Sequence, residues 1–344
     1  MKSAMRYSVL GLALAFITPH LWAEQVSIAV LGLFHSRTAD VASAGPQSLV
    51  CVAGSDRRAL ALPLHVQLES GKLVAAGFKS DGLLCDNGQG AASEFVLSIR
   101  QKISRHYTGR LEVRAAGREL LLLVHMDLET AVASVVAAES PPGAPLEALK
   151  AQAVAARSFL VAGKGRHRGF DFCDTTHCQF LRSPPGTNSP AWQATRSTEG
   201  MVLEYRQTVF AAMYSASCGG RTHTLAELGI PARDYPYFSV VCEFCRRHPQ
   251  KWVAEITSAE AAGLDNSEAS RLRLARKLGW KTVPSNSYSA ASRRQGELVQ
   301  LEGQGVGHGV GLCQRGAADM ARHGAAFLDI LAHYYPNTVV RKIP

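Results

Sequence analysis

The stretch VVAAESPPGAPLEALKAQAVAARSF, residues 135–159, sets two glutamates eight positions apart across a Pro/Gly-rich turn. A carboxyl group serves as a general acid near neutral pH only where its surroundings raise its pKa. Glu139 follows the apolar run VASVVAA, and desolvation of a buried carboxyl has that effect. Glu147 lies in the first turn of an alanine-rich helix, where the partial positive charge of the helix end works the other way. Glu139 is therefore the candidate proton donor, and Glu147 is expected to cap the helix or to line a groove. An ordinary helix-end residue is the alternative for Glu139, because most glutamates do no chemistry.

A second constellation is HRGFDFCDTTHCQF, residues 167–180, with His167, Cys173, His177 and Cys178. Two thiolates with one or two imidazoles make a tetrahedral zinc set. A Cys173–Cys178 disulfide with surface histidines is the alternative in an oxidising compartment. His177 and Cys178 are adjacent and in a strand would face opposite ways, so both are not expected to ligate. Cys218 precedes a Gly-Gly turn, and Cys242 and Cys245 form C-x-x-C. No βαβ thioredoxin pattern accompanies them, so a disulfide or a structural clip with Cys218 or Cys313 is expected. The sharper alternative is a nucleophilic Cys218 with His308 as its base. Cys51 and Cys85, isolated in the N-terminal third, are expected to pair with each other.

The third is GQGVGHGVGLCQRGAADMARHG, residues 303–324, with glycines at alternate positions from Gly303 to Gly311. Alternating glycines let a backbone approach a ligand, or the core, unusually closely. His308 is the titratable side chain of the loop, and Gln314 and Arg315 open the helix after it. That arrangement suits a sugar- or anion-binding lip. It lacks the Gly-Lys-Ser/Thr of a phosphate-binding loop.

The elements that must hold these residues follow from periodicity. Residues 24–128 read as a β-rich region of short apolar or alternating runs, with one possible helix in SEFVLSIRQKIS. Residues 129–344 read as a mixed core. Pro145 opens a helix over 145–162, with Leu146, Leu149, Ala153, Ala156 and Leu160 in one apolar stripe and Glu147, Lys150 and Arg157 on another face. Residues 201–217 read as a hairpin. A helical insertion is expected near 255–285, and two helices, about 315–323 and 325–335, close the chain. The fold class is α+β.

The 344 residues carry a formal net charge of +9 and eight cysteines. Residues 1–23, with Lys2, Arg6, a short apolar run and a small residue at a plausible cleavage point, are expected to be an export signal. An exported basic protein suits an anionic partner, and an even cysteine count suits an oxidising compartment. The sequence lacks a zinc-finger repeat and the basic and aromatic interleaving of RNA binders, so no nucleic-acid partner is expected.

Taken in order, VASVVAAESPPGAPLEALKAQAVAARSF, CDTTHCQF, YSASCGGRT, GVGHGVGLCQRGAADMARHG and ILAHYYPNT resemble the SpoIID/LytB family. The resemblance covers residues 100–340 well and 26–100 loosely. It implies a SpoIID-like catalytic core acting in the cell wall as a lytic transglycosylase on peptide-stripped glycan strands of peptidoglycan. Such an enzyme leaves 1,6-anhydro ends and needs one acid rather than the usual pair. The role maps to Glu139, with Glu147, Lys150, Gln179, Ser217, His308 and Gln314 lining the groove. The resemblance also implies a structural zinc on His167, Cys173 and Cys178, with no cofactor required for the reaction, and a periplasmic or extracellular, wall-associated location. Its amidase-enhancer branch implies a rival role: a glycan binder that recruits or stimulates an amidase. The chain departs from the family at Ser140, where Met is usual, and at Leu312-Cys313, where Met-Ser is usual.

Overall fold

The computed structural model describes residues 25–343, apart from 46–48, 54–57, 233, 263 and 296–297. The expected export signal lies outside the described residues. Eleven strands are described between Gln25 and Asp127. They are β1 (Gln25–Ala29), β2 (Thr38–Ser43), β3 (Val50–Ala53), β4 (Arg58–Leu60), β5 (Leu64–Glu69), β6 (Lys72–Ala75), β7 (Phe78–Ser80), β8 (Gly82–Asp86), β9 (Ser93–Ile99), β10 (Ile103–Ala116) and β11 (Glu119–Asp127). Period-two alternation places them: β5 buries Leu64, Val66 and Leu68 and turns His65, Gln67 and Glu69 outward. The same alternation corrects the possible helix in 93–104. Phe95, Leu97 and Ile99 are buried and the residues between them are not, so the segment is β9 and the start of β10. The long β10 pairs antiparallel with β9, β8 and β11. Cys51 and Cys85 stand opposite each other on β3 and β8 and form the expected disulfide.

The chain passes from β11 directly into α1 (Leu128–Glu139), where Asp127 caps the first turn by accepting the Thr130 N–H at 3.0 Å. The Pro/Gly turn follows, and then α2 (Leu146–Ala162). Every residue of α2 from Ala151 to Leu160 is buried, because the helix runs through the middle of the core. This corrects the expected face for Arg157. Its guanidinium is fully buried and grips Glu129 of α1 at 2.7 and 2.5 Å, and it also donates to the Met201 and Thr195 carbonyls. Further on, β12 (Phe172–Cys173) joins the first sheet parallel to β1, and α3 (Pro190–Ser197) packs on α1 and α2. One hydrophobic cluster runs from Val26 to Tyr335, so residues on both sides of position 128 share it.

The expected 201–217 hairpin ends early. Strands β13 (Met201–Tyr205) and β14 (Thr208–Val209) form it, whereas β15 (Tyr214–Ser215) leaves to pair elsewhere. After α4 (Glu243–Arg247) comes the expected insertion, which is more than helical. It comprises β16 (Lys251–Thr257), α5 (Ser258–Ala261), α6 (Glu268–Leu278), β17 (Tyr288–Gln295) and β18 (Leu298–Gln304), around a small core of its own. The glycine-rich stretch leads to β19 (Leu312–Cys313), α7 (Gln314–Arg322), α8 (Phe327–Tyr334) and β20 (Val339–Lys342), which pairs with β13. Strand β19 is the parallel partner of β15, with Tyr214 opposite Leu312 and Ser215 opposite Cys313. Among the described residues no helix is long and apolar enough to cross a membrane.

Candidate active site

Glu139 is the last residue of α1, a helix whose buried apolar side chains pack mainly on α2 and α3. Burial pushes its carboxyl up to about 7. Two groups pull the other way: the Phe180 N–H, which donates to Oε1, and the Tyr214 hydroxyl beside it. Gln314, at the start of α7, donates from Nε2 to the Glu139 carbonyl at 3.1 Å and reaches Gln152 Oε1 at 3.4 Å. Gln152 and Tyr214 carry no signal of this role in the sequence. In the immediate surroundings of Glu139, Gln152 Nε2 and Gln179 Oε1 are buried and make no hydrogen bond, and Tyr214 Oη is buried against the carboxyl it approaches. Buried polar atoms left unsatisfied are uncommon in native structures. A small cleft opens on the turn after Glu139, lined by Ser140, Pro141, Leu149, Gln152, Leu312 and Gln314.

The partner that donates to Glu139 comes from the loop after α2, and that loop is pinned by acids. Asp171 accepts from the Ser27 N–H and hydroxyl and from the Gly165 N–H, and Asp174 accepts from the Leu31 N–H at 3.0 Å. Gln179 Nε2 lies 3.5 Å from the Ala156 carbonyl, which ties the same loop to α2.

His167, Cys173, His177 and Cys178 converge between these pins. Their donor atoms lie within 4.8 Å of one another, with His167 Nε2 3.2 Å from Cys178 Sγ and Cys173 Sγ 3.5 Å from Cys178 Sγ. Contact with Cys178 pulls the Cys173 thiol down to about 4. Such spacing suits four ligands around one tetrahedral ion. His177 belongs to the set, against the expectation that it and Cys178 would diverge: residues 174–178 form a turn, and a turn can aim neighbours at one point.

The other expected groove residues are placed differently. Glu147 does not cap its own helix. Its Oε1 takes Lys150 Nζ at 2.6 Å and its Oε2 accepts the Phe327 N–H at 2.9 Å, so it caps α8 instead, and Lys150 and that N–H hold its carboxyl below the ordinary range. Lys150 lies over the Phe327 ring. Ser217 is buried with its hydroxyl 3.5 Å from Cys245 Sγ. His308 Nδ1 accepts the Val310 N–H at 3.0 Å, and burial pushes the imidazole down to about 4. It is thus neutral at pH 7. Cys218 is buried among other cysteines, so the thiol–imidazole pair with His308 is not formed.

The alternating glycines have a clear steric cause. A Cβ on Gly311 would lie 1.9 Å from the Met213 carbonyl oxygen, and one on Gly305 would lie 2.6 Å from that of Ser217. The backbone that approaches Gly305 and Gly311 so closely is the chain's own, residues 213–219, and it carries Tyr214 to Glu139. Both glycines also adopt positive φ, 69° and 89°.

Residues 116–205 match the family model SpoIID, Stage II sporulation protein. The chain is 27% identical over 264 residues to an uncharacterised protein of Brachyspira hyodysenteriae, covering 67% of this chain and 70% of that one. It is 28% identical over 258 residues to the Stage II sporulation protein D of Bacillus subtilis, covering 63% and 75%. It is 24% identical over 283 residues to the amidase enhancer of Bacillus subtilis, covering 60% of this chain and 39% of that protein.

Proposed function

Because this chain is a SpoIID/LytB-family protein, we propose that it acts in the cell wall, as a lytic transglycosylase on the glycan strands of peptidoglycan. The observation that carries the reading is the Glu139 carboxyl, raised to about 7 beside a cleft with unspent polar groups. A group near pH 7 is protonated often enough to donate and basic enough to accept. Glu139 gives its proton to the glycosidic oxygen as the bond from C1 breaks. The C6 hydroxyl of the same muramic residue bonds to C1, and its proton returns to the Glu139 carboxylate. Water is not consumed, so no second carboxylate is required. The Phe180 N–H holds the carboxylate between the two steps, and Gln314 fixes the backbone that presents it. Gln152, Gln179 and Tyr214 offer the hydrogen bonds that orient the sugar.

His167, Cys173, His177 and Cys178 would hold a zinc ion whose role is structural, fixing the loop that delivers Phe180. The chain would act after export, in the periplasm or outside the cell, with glycan strands as its partner. The test is Glu139→Gln on peptide-stripped glycan strands, with mass spectrometry of the ends. Loss of anhydro ends is expected, and undiminished release refutes the assignment. The amidase-enhancer relative favours a second reading, a binder that recruits an amidase. Purified protein that retains glycan without releasing products, with no partner added, would establish that reading in place of the first.

A further inference from the structure

Cys218, Cys242, Cys245 and Cys313 come from three separate segments: the turn after β15, the C-x-x-C at the start of α4, and the end of β19. All four are buried, and their sulfurs lie within 4.8 Å of one another. Cys245 Sγ and Cys313 Sγ are 3.5 Å apart. Bonded sulfurs would sit at about 2 Å. Four thiolates about 2.3 Å from one ion, at the corners of a tetrahedron, sit about 3.8 Å apart. An iron–sulfur cubane would hold its cysteine sulfurs apart by about 6 Å. The observed spacing is that of a single ion.

The surroundings are those of thiolates. The Cys218 N–H donates to Cys313 Sγ at 3.4 Å, the Tyr334 hydroxyl donates to Cys242 Sγ at 3.4 Å, and the Ser217 hydroxyl lies against Cys245 Sγ. Such outer donors spread the negative charge of a metal–thiolate centre and orient its ligands. Gly316 of α7 lets the helix lie against the group: a Cβ there would be 2.5 Å from Cys242 Sγ.

We propose that Cys218, Cys242, Cys245 and Cys313 bind one zinc ion in a closed, structural tetrathiolate site, distinct from the His/Cys group on the loop after α2. The site is independent of the glycan reading. It joins the two segments that flank Glu139. Cys313 directly precedes Gln314, which holds the Glu139 carbonyl, and Cys218 ends the segment that begins at Tyr214. These are positioning residues, since none touches the carboxyl itself.

The test uses the full chain recovered from an oxidising compartment without added reductant. Zinc is measured per chain, and the thiols are alkylated before and after chelation and then mapped by mass spectrometry. The expected result is that these four cysteines resist alkylation in the native protein and react once zinc is chelated, with no reductant. Cys245→Ser should lower zinc by one per chain, and Cys173→Ser should leave these four thiols protected. Four cysteines that react only after reduction would be two disulfides and would overturn the proposal. So would unchanged zinc in a folded Cys245→Ser protein. If that variant does not fold, the alkylation map of the unaltered chain decides alone.

Discussion

Replacing Glu139 by Gln should make the protein more stable than its parent at alkaline pH, by an amount that follows from the buried carboxyl. In the unfolded chain Glu139 titrates near its ordinary 4.5, and in the folded protein it titrates at about 7. Between those values the folded state binds a proton that the unfolded state has released, so stability falls as pH rises. The contribution is fully present below 4.5 and is gone above 7. With about 1.4 kcal/mol per pH unit, this single group costs the parent about 2.5 kcal/mol between pH 5 and pH 8. The glutamine of the Glu139→Gln variant has no proton to lose, and its side-chain carbonyl can still accept the Phe180 N–H. Other titrating groups, His308 among them, are common to both proteins and cancel in the comparison. Urea denaturation of both proteins at pH 5 and pH 8 measures the difference, provided the urea dependence is the same for both. The stability difference between variant and parent should shift by about 2.5 kcal/mol in the variant's favour from pH 5 to pH 8. A shift below about 0.5 kcal/mol would mean that the carboxyl ionises as in water, and the case for Glu139 as a neutral-pH acid would fail with it.

On the proposed mechanism the same carboxyl would set the pH profile of glycan cleavage: product release should fall about tenfold per pH unit above 7, and a flat profile to pH 9 would exclude a single acid with that pKa. Gly311→Ala should destabilise the fold by more than about 1 kcal/mol, since it combines positive φ with a clash against the Met213 carbonyl, and a thermal melt unchanged from the parent would show that the loop can move aside. Glu147→Ala should cost about 1 kcal/mol by uncapping α8, measured by denaturant unfolding, with a larger loss in low salt than in high.

Sequence reasoning reaches what is local. The strands, α2, the terminal helices and the Cys51–Cys85 pair follow from alternation, helical periodicity and isolation along the chain. Glu139 is legible for a sound reason, because a run of small apolar residues before a carboxyl predicts desolvation wherever the run packs. What escapes is convergence. Tyr214 and Gln152 meet Glu139 from segments 75 positions later and in the next helix, and nothing in either segment advertises the meeting. Treating a turn as a strand hides the approach of His177 to His167, Cys173 and Cys178. Helical periodicity sets Arg157 on a face apart from the apolar stripe, and nothing local shows that Glu129, 28 positions away, partners a buried guanidinium there. The glycine alternation signals a close approach but cannot say to what. Only the fold shows that Gly305, Gly307 and Gly311 face residues 213–219, whereas Gly303 faces Trp252 and Gly309 faces His223.

Glu139 and the groups that meet it differ in how they are held. Glu139 ends a helix fixed by packing on α2 and α3, with Leu128 and residues 131–136 buried. Phe180 lies in the loop after β12, and Tyr214 is buried on the two-residue strand β15, so few ladder hydrogen bonds fix either backbone position. A donor displaced by even about 1 Å from a carboxyl loses most of its hydrogen bond. Such segments need other restraints, and each has one nearby. The Phe180 loop has Asp171, Asp174 and the His167, Cys173, His177 and Cys178 group. The Tyr214 segment has the glycine loop pressed flat against it and Cys218 at its end. These restraints are thus concentrated where the groups that meet Glu139 would otherwise be loose. A substitution in either cysteine group should therefore change the pKa of Glu139 before it changes the fold of α1, and the alkaline limb of the pH profile is where that change would first be seen.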